Sequence, residues 1–525
     1  MQDDPLGPPI TGCPVAHVKE HWRFHIISPG ERAVTINAPG IPEAPWAEER
    51  PLGSLLQLER LSRWAWVLGY TAVLSTLAAL QYRLGILPAG DLRDVSAIEQ
   101  GLWQLLHHGA GAVSTITGHP LLADQASYVL VPLAHLYGIG GLGALLVLQA
   151  FALGLGYVLI LSLGRQIGAS RAAAHFAGIL YLFHPVVLGA ALSGFHPEAL
   201  GVPLLFGLVG ALLAERWGAY AALLAAFLLD SLWAPLAACA VGAVLLVRGP
   251  ARWGLLTLLL GALVGAVDLD LVLPRLAGGS VPWWETHFGG LGATPAGGVM
   301  TLAAHPALLL GWAVRPEAWA LLALLWGPVA AAVLARPPRA ATVWWVPAAA
   351  LCEAGLLSAH ATLASPYVLA TPFLAAVSLG ALRERTPDSP GRMRIAWLVL
   401  LVLVLGGAAW QARQEGWEVS PRRLTALYAA IDAIPSRAPV AAEGLALAHL
   451  ADRDEVWPLD SAARRFLPEG TYIVLGSRGR GGLSSPEAAR LQQVLARAAQ
   501  ARVVLSRDDV KVYRLVQPLP PTVSR

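Results

Sequence analysis

Along most of this chain, polar residues punctuate apolar runs rather than alternate with them, and the runs have the length of a bilayer span. The run from about Trp64 to Leu87 predicts a first membrane helix. Spanning runs recur at roughly 141–163, 172–192, 199–214, 254–273, 318–335, 343–359, 367–382 and 395–410. Residues 219–247 exceed one span, meet arginine at both ends and carry Asp230 and Pro235 near the middle, which predicts two half-helices or a re-entrant pair. The expected fold class is therefore an α-helical polytopic membrane protein with about ten to twelve membrane helices.

The pattern changes at both ends. Residues 1–60 are polar and rich in Pro and Gly, with one β-like stretch at Arg32–Asn37. They lack an early apolar core, so no cleavable signal peptide is expected. The tail reads as short strands at Pro439–Ala442, Glu455–Pro458, Tyr472–Leu475 and Val503–Leu505. A helix is predicted from Ser485, with a Ser cap, Pro486 in the first turn and Glu487 behind it. Strands alternating with helices predict a small α/β domain. The division expected is 1–60 as an N-terminal cytoplasmic segment, 61–412 as a transmembrane domain and 413–525 as an extracytoplasmic α/β domain. The Gly-rich stretch after Tyr472–Leu475 lacks both the Gly-Lys-Ser/Thr ending and dinucleotide spacing, and reads as a loop.

Composition supports lipid as the main solvent: 56% of residues are hydrophobic and 14% charged, against about a quarter charged in soluble domains. A net charge of +3 gives no footing to a nucleic-acid partner. Cys239 and Cys352 lie in apolar runs and read as small hydrophobes. Cys13 and His17 have no further ligands at metal spacing, and three scattered cysteines form no disulfide framework.

Arginine placement sets the orientation. One set of loops holds Arg165, Arg171, Arg216, Arg248, Arg252, Arg336, Arg339 and the stretch from Arg383 to Arg394. The alternate loops hold Asp91, Asp94, Glu99, Asp124, Glu198, Asp268, Asp270 and Glu285. The positive-inside rule makes the arginine loops cytoplasmic. This predicts a cytoplasmic N-terminus and an extracytoplasmic C-terminus.

Ionisable groups near lipid are costly and mark candidate sites. Asp94, Glu99, Gln100 and Trp103 fall at near-helical spacing just after the first span, which suits an interfacial amphipathic helix. It also suits an acid-capped surface helix with an anchoring Trp. Between two apolar runs stands Gly194-Phe195-His196-Pro197-Glu198. A helix N-terminus explains Pro197 and Glu198 but not His196, which with Glu198 could do acid/base work or bind a cation. Asp230 either caps a half-helix starting at Ser231 or faces a polar cavity. Trp283, Trp284 and His287 form an aromatic outer loop suited to the interface or to stacking on a sugar. His360 lies in another outer loop.

The order of these landmarks resembles the bacterial membrane proteins grouped as domain-of-unknown-function family 2079, themselves similar to GT-C glycosyltransferases. The matching pieces are Asp94 through Trp103, Phe195-His-Pro-Glu198, His287-Phe-Gly-Gly-Leu-Gly292, and the tail stretch Ile434-Pro435 to His449-Leu450 and Arg453. The resemblance covers roughly 64–515. It implies a GT-C-like fold, a catalytic acid in the first outer loop and a polyprenyl-phosphate sugar donor. Carried over by position, Asp94 would activate an acceptor hydroxyl, with His196 and Glu198 lining the same cavity. Gln100, Trp103, Asp230, Trp284, His287 and His360 would line the substrate site. A divalent cation stays open as cofactor, and the inner membrane of a bacterium is the implied location. Three positions depart from the family pattern: Leu228-Leu229-Asp230 keeps one acid of a charged group, Gln125 replaces an expected His, and Gly476 an expected Asp.

Two functions of different class fit these residues. One is a membrane glycosyltransferase acting on the outer leaflet. The other is a non-catalytic subunit of a larger membrane complex, docked through the N-terminal segment. Transport ranks last, because no pair of repeated halves with broken helices is evident.

Overall fold

The structure, a computed structural model, describes residues 52–84, 89–308, 325–326, 366–383, 421–476 and 490–521, apart from 280, 282–283, 286–287, 492, 496–500 and 509. The stretch Arg32–Asn37, the run 318–335 apart from 325–326, the runs 343–359 and 395–410, His287 and His360 lie outside the described residues. Among the described residues, three helices are long and apolar enough to cross a membrane: Leu61–Leu84, Leu130–Gln166 and Ala251–Leu276. A bent pair makes a fourth if counted as one span.

Helix α1 (Leu52–Leu84) is followed by α2 (Ala89–His108) and the short α3 (Leu121–Gln125). Helix α4 (Leu130–Gln166) is kinked at Gly141, where φ is 58° and ψ −155°. Its straight part therefore begins where the apolar run at 141–163 begins. The run 172–192, expected as one span, is instead two helices, α5 (Arg171–Leu182) and α6 (Pro185–Leu192), bent by 45°. The cause is local. Pro185 has no N–H to continue the ladder, and His184 caps the new helix by accepting from the Val186 N–H at 3.3 Å.

Helix α7 (Glu198–Leu213) follows, and the run 219–247 divides into α8 (Trp217–Leu228) and α9 (Ala234–Arg248). Helix α10 (Ala251–Val267) continues as a π-helical turn, Asp268–Val272, into α11 (Leu273–Leu276). Leu255, Leu259 and Leu263, four apart on α10, are all exposed, as a lipid-facing stripe requires. The opposite face packs on α9 through glycines. A Cβ on Gly242 would lie 2.6 Å from the Leu258 nitrogen, and one on Gly254 2.6 Å from the Leu246 nitrogen. Small residues at such crossings let backbones touch and dispersion hold the pair. Gly254→Leu is therefore expected to force the helices apart at a cost of about 1–3 kcal/mol. An unchanged thermal unfolding midpoint of the purified protein would refute this. Helices α12 (Pro295–Ala304) and α13 (Thr371–Arg383) complete the described apolar part.

The tail folds as expected in kind, with one strand more. Strands β1 (Val440–Ala442), β2 (Val456–Pro458), β3 (Tyr472–Gly476), β4 (Ala501–Arg507) and β5 (Val510–Leu515) form one sheet in the order β2-β1-β3-β5-β4. The pairs β1–β2 and β1–β3 are parallel, and β5 runs antiparallel to β3 and β4. Alternation gives the sheet two apolar faces. Val440, Ala442, Tyr472, Val474, Val510 and Val512 face α14 (Pro421–Asp432), α15 (Gly444–His449) and Ile116. Ala441, Ile473, Leu475, Tyr513 and Leu515 face α16 (Leu459–Ala462) together with Leu491 and Leu495. Those two leucines belong to the described helical part of the Ser485 segment, residues 490–491 and 493–495.

Candidate functional site

Helix α2 joins the apolar helices to the sheet. Its buried face carries Leu92, Val95, Ser96, Ile98, Glu99, Gln100 and Leu102. At Gly101 the space is taken by Leu121, whose Cδ1 would lie 2.6 Å from an added Cβ. Gln100 is fully buried and occupied with local bonds. Its Oε1 accepts from the Ser114 hydroxyl at 2.6 Å and the Ile116 N–H at 3.0 Å, while its Nε2 donates to Thr115 Oγ1 at 2.7 Å. Thr115 in turn accepts from the Val456 N–H at 2.9 Å and donates to the Val456 carbonyl. The edge strand β2 is thus covered rather than left open for pairing. Gln104 donates to the Asp454 carbonyl at 2.9 Å, and His108 Nε2 meets Asp454 Oδ1 at 2.7 Å. Trp103 is half-buried and stacks on His107, ring centroids 4.2 Å apart. Gln100 and Trp103 therefore sit in the joint between the two parts of the molecule.

Asp94 stands on the exposed side of α2. The protein around its carboxyl strips hydration, and with Asp124 and Glu198 nearby this pushes its pKa up to about 6, against a smaller downward pull from Arg93. The Gly194–Glu198 turn lies against the same helical turn. Gly194 has φ +115°, and a Cβ there would meet Val95 Cγ2 at 2.4 Å, so α2 and the turn touch backbone to side chain. The structure brings Asp124 and Glu198 into electrostatic range of Asp94.

What holds the turn is Gln149, which sequence reasoning missed. It projects fully buried from the middle of α4. Its amide donates to the carbonyls of Ala190 at 2.7 Å and Gly194 at 2.8 Å, and its Oε1 accepts from the His196 N–H at 2.6 Å. Its only sequence signal is a lone amide inside a spanning run, which membrane energetics single out. The His196 ring is packed, with Nε2 2.8 Å from the Ser193 hydroxyl. Burial lowers its pKa to about 4, so the imidazole is neutral at pH 7. Glu198 opens α7 with Pro197 before it, as the helix-start reading requires.

Asp230 lies in the turn between α8 and α9 and is 1% exposed. It does not cap α9, which starts at Ala234 after Trp233 with no side-chain cap bond. Its carboxyl faces Glu198, close enough for their charges to oppose. It crowds the Gly201 backbone, where a Cβ would come within 2.5 Å of Oδ2, yet neither oxygen reaches hydrogen-bonding geometry. Trp284 is packed: its indole donates to the Gly292 carbonyl at 2.8 Å and its ring lies 4.9 Å from Phe288. A Cβ on Gly298 would clash with it at 2.3 Å. Sequence reasoning also left Tyr128 and Asp268 unpaired, whereas the Tyr128 hydroxyl donates to the Asp268 carboxylate at the π-helical turn. Among the described residues no three His, Cys, Asp or Glu side chains gather as metal ligands.

Glu99 points inward, toward Tyr82 of α1 and Tyr137 of α4. Tyr82 donates to its Oε2 at 2.7 Å. Burial nonetheless dominates and, with Asp452, raises its pKa to about 8 from 4.5 despite the Tyr82 bond. Tyr137 and Asp452 face the same group. A carboxyl raised on folding contributes stability that is complete below its unfolded pKa and lost as pH rises through the folded one. The unfolding midpoint should therefore fall from pH 6 to pH 9, and Glu99→Gln should flatten that slope. Parallel pH profiles for the two proteins would sink the assignment.

A helical membrane part joined through α2 to a mixed α/β sheet is an arrangement shared with a solved structure. The crystal structure of ArnT from Cupriavidus metallidurans bound to undecaprenyl phosphate superposes with a TM-score of 0.51 at 15% identity, covering 86% of this chain and 98% of that one. The apo crystal structure of the same enzyme gives 0.48 at 14% identity, covering 85% and 97%. The chain belongs to the predicted membrane protein family DUF2079, whose profile matches residues 93–476. A search of curated protein sequences returns no match.

Proposed function

We propose that the protein is a GT-C-type glycosyltransferase that takes a sugar from a polyprenyl phosphate at the outer leaflet of a bacterial inner membrane. The observation that carries this reading is the contact of α2 with the Gly194–Glu198 turn, with Glu198 in electrostatic range of Asp94. In the reaction, the acceptor oxygen forms a bond to the anomeric carbon while the carbon–phosphate oxygen bond breaks. The electron pair leaves with the polyprenyl phosphate, and the acceptor proton passes to Asp94. A carboxylate with a pKa near 6 is ionised at neutral pH and basic enough to receive that proton. Burial, with the negative field of Asp124 and Glu198, keeps Asp94 basic. About ten to twelve membrane helices, residues 1–60 in the cytoplasm and residues 413–525 outside belong to the same proposal, because outer-leaflet chemistry needs Asp94 and the sheet on one side.

A second reading has its own support. Gln100, Trp103 and Trp284 are all engaged in packing, which suits a non-catalytic subunit of a larger membrane complex. One experiment separates the two. Purified protein in proteoliposomes is given polyprenyl-phosphate-linked radiolabelled sugars together with a membrane extract as acceptor. Transfer of label supports the enzyme. No transfer, together with stoichiometric protein partners retained through mild purification, supports the subunit.

A further inference from the structure

We propose that the C-terminal ends of the parallel strands β2, β1 and β3 form a binding site for a neutral saccharide, the acceptor of the proposed transferase. The term acceptor rests on the transferase reading; the binding site does not.

The topology opens the site. After β1 the chain passes to α15, whose Ala446 and Leu447 pack on one face of the sheet. After β3 it comes back as Leu491 and Leu495 on the other face. Neighbouring parallel strands whose connections leave to opposite faces part at their C-terminal ends. In open α/β sheets that crevice is where ligands bind.

Glu443, Asp460 and Arg93 converge there, and Arg423 lies at the end of β3. Glu443 directly follows β1 and opens α15 without making a cap bond. Asp460, just past β2, accepts from Arg93 Nη1 of α2 at 3.3 Å. At the end of β3, a Cβ on Gly476 would lie 3.6 Å from Arg423 Nη2 of α14. Glu443, Asp460 and Arg93 act on one another electrostatically. Burial and the neighbouring Asp460 raise the Glu443 pKa to about 7 against the downward pull of Arg93. The two acids and two guanidinium groups therefore carry a net charge between zero and plus one at neutral pH; an anion meets Asp460 while a cation meets Arg93 and Arg423. Glu443 Oε2 is buried without a hydrogen-bond partner, and such an acceptor needs a donor from elsewhere. Hydroxyl groups satisfy both kinds of partner, donating to carboxylates and accepting from guanidinium forks. The Arg93–Asp460 pair is half-exposed, and such a pair contributes little to docking α2 by itself. Arg93 also precedes Asp94 directly, so the crevice and the proposed base share one helical turn.

The test uses the full chain in lipid nanodiscs, free of glycoside detergent, and saturation-transfer NMR. The probes are neutral trisaccharides (maltotriose, cellotriose, mannotriose), with 3′-sialyllactose as the acidic control and a glucosamine trimer as the basic one. Saturation is expected on at least one neutral trisaccharide and on neither charged control. Glu443→Gln, nearly isosteric, should weaken that binding at least about tenfold, and Asp460→Asn should weaken it in the same direction. Asp94→Asn should keep binding while losing transfer. If no neutral trisaccharide binds, or binding is unchanged in both Glu443→Gln and Asp460→Asn, the site is wrong. If saccharide binds in a Glu443-dependent way while Asp94→Asn leaves transfer intact, the site stands and the base assignment fails.

Discussion

Asp94→Asn is expected to reduce sugar transfer by about 10²–10⁴-fold, the usual contribution of a positioned acid or base, while leaving the protein as stable as before. Stability should hold because the side chain stands on the exposed side of α2, and exposed substitutions away from special features shift stability by only about 0.5 kcal/mol. Removing its charge also relieves repulsion from Asp124 and Glu198. The pH profile supplies an independent check. With a pKa near 6, the base is ionised above that value, so wild-type transfer should fall as pH drops through about 6. For stability the sign is opposite: a carboxyl raised on folding favours the folded state at low pH. Acid loss of activity should therefore occur without acid loss of structure, seen as an unfolding midpoint that does not fall between pH 7 and pH 5.5. Turnover within a few-fold of wild type in Asp94→Asn would remove the base and leave the subunit reading in its place.

Gln149→Leu should be the most damaging single substitution for stability and site geometry together. It keeps the volume but removes both donors and the acceptor, leaving the carbonyls of Ala190 and Gly194 and the His196 N–H buried without partners. Each such orphan costs about 1–3 kcal/mol, so a loss of about 3 kcal/mol or more is expected before relaxation. Gln149→Glu retains the acceptor for His196 and should lose less. Both are read by thermal unfolding of purified protein, with transfer activity measured on whatever fraction stays folded. A midpoint for Gln149→Leu equal to wild type would show that the turn is held by something other than this amide.

The parts of the molecule that the sequence made legible are those governed by short-range rules. A run of apolar residues must be helical in lipid, because every backbone group has to be satisfied within the segment; hence α4, α7, α10 and the divided 219–247 stretch were readable. Pro197 with Glu198 announces a helix start, and α7 begins there. Strand β5 escaped notice although its residues alternate, Val510 and Val512 against Tyr513 and Leu515, after a turn at Asp508. The bend at His184–Pro185 was likewise written in the proline but was outweighed by the apolar run around it.

Other features depend on distance across the fold. Gln149 reaches a turn more than forty positions away, and no local pattern inside an apolar helix says which face an amide takes. Glu99 and Asp94 are five residues apart on α2, yet one is buried and the other exposed. Only the packing of α2 between α1, α4 and the sheet decides that difference. Gln100, singled out as a ligand, became the clamp of that packing. The crevice of Glu443, Asp460, Arg93 and Arg423 brings together residues up to about 370 positions apart. Composition and hydropathy determined that this chain belongs in a membrane, because solvent transfer acts on each residue where it stands. Which polar groups meet was left to the tertiary structure, because hydrogen bonds and charges act between residues and the sequence does not record who their neighbours are.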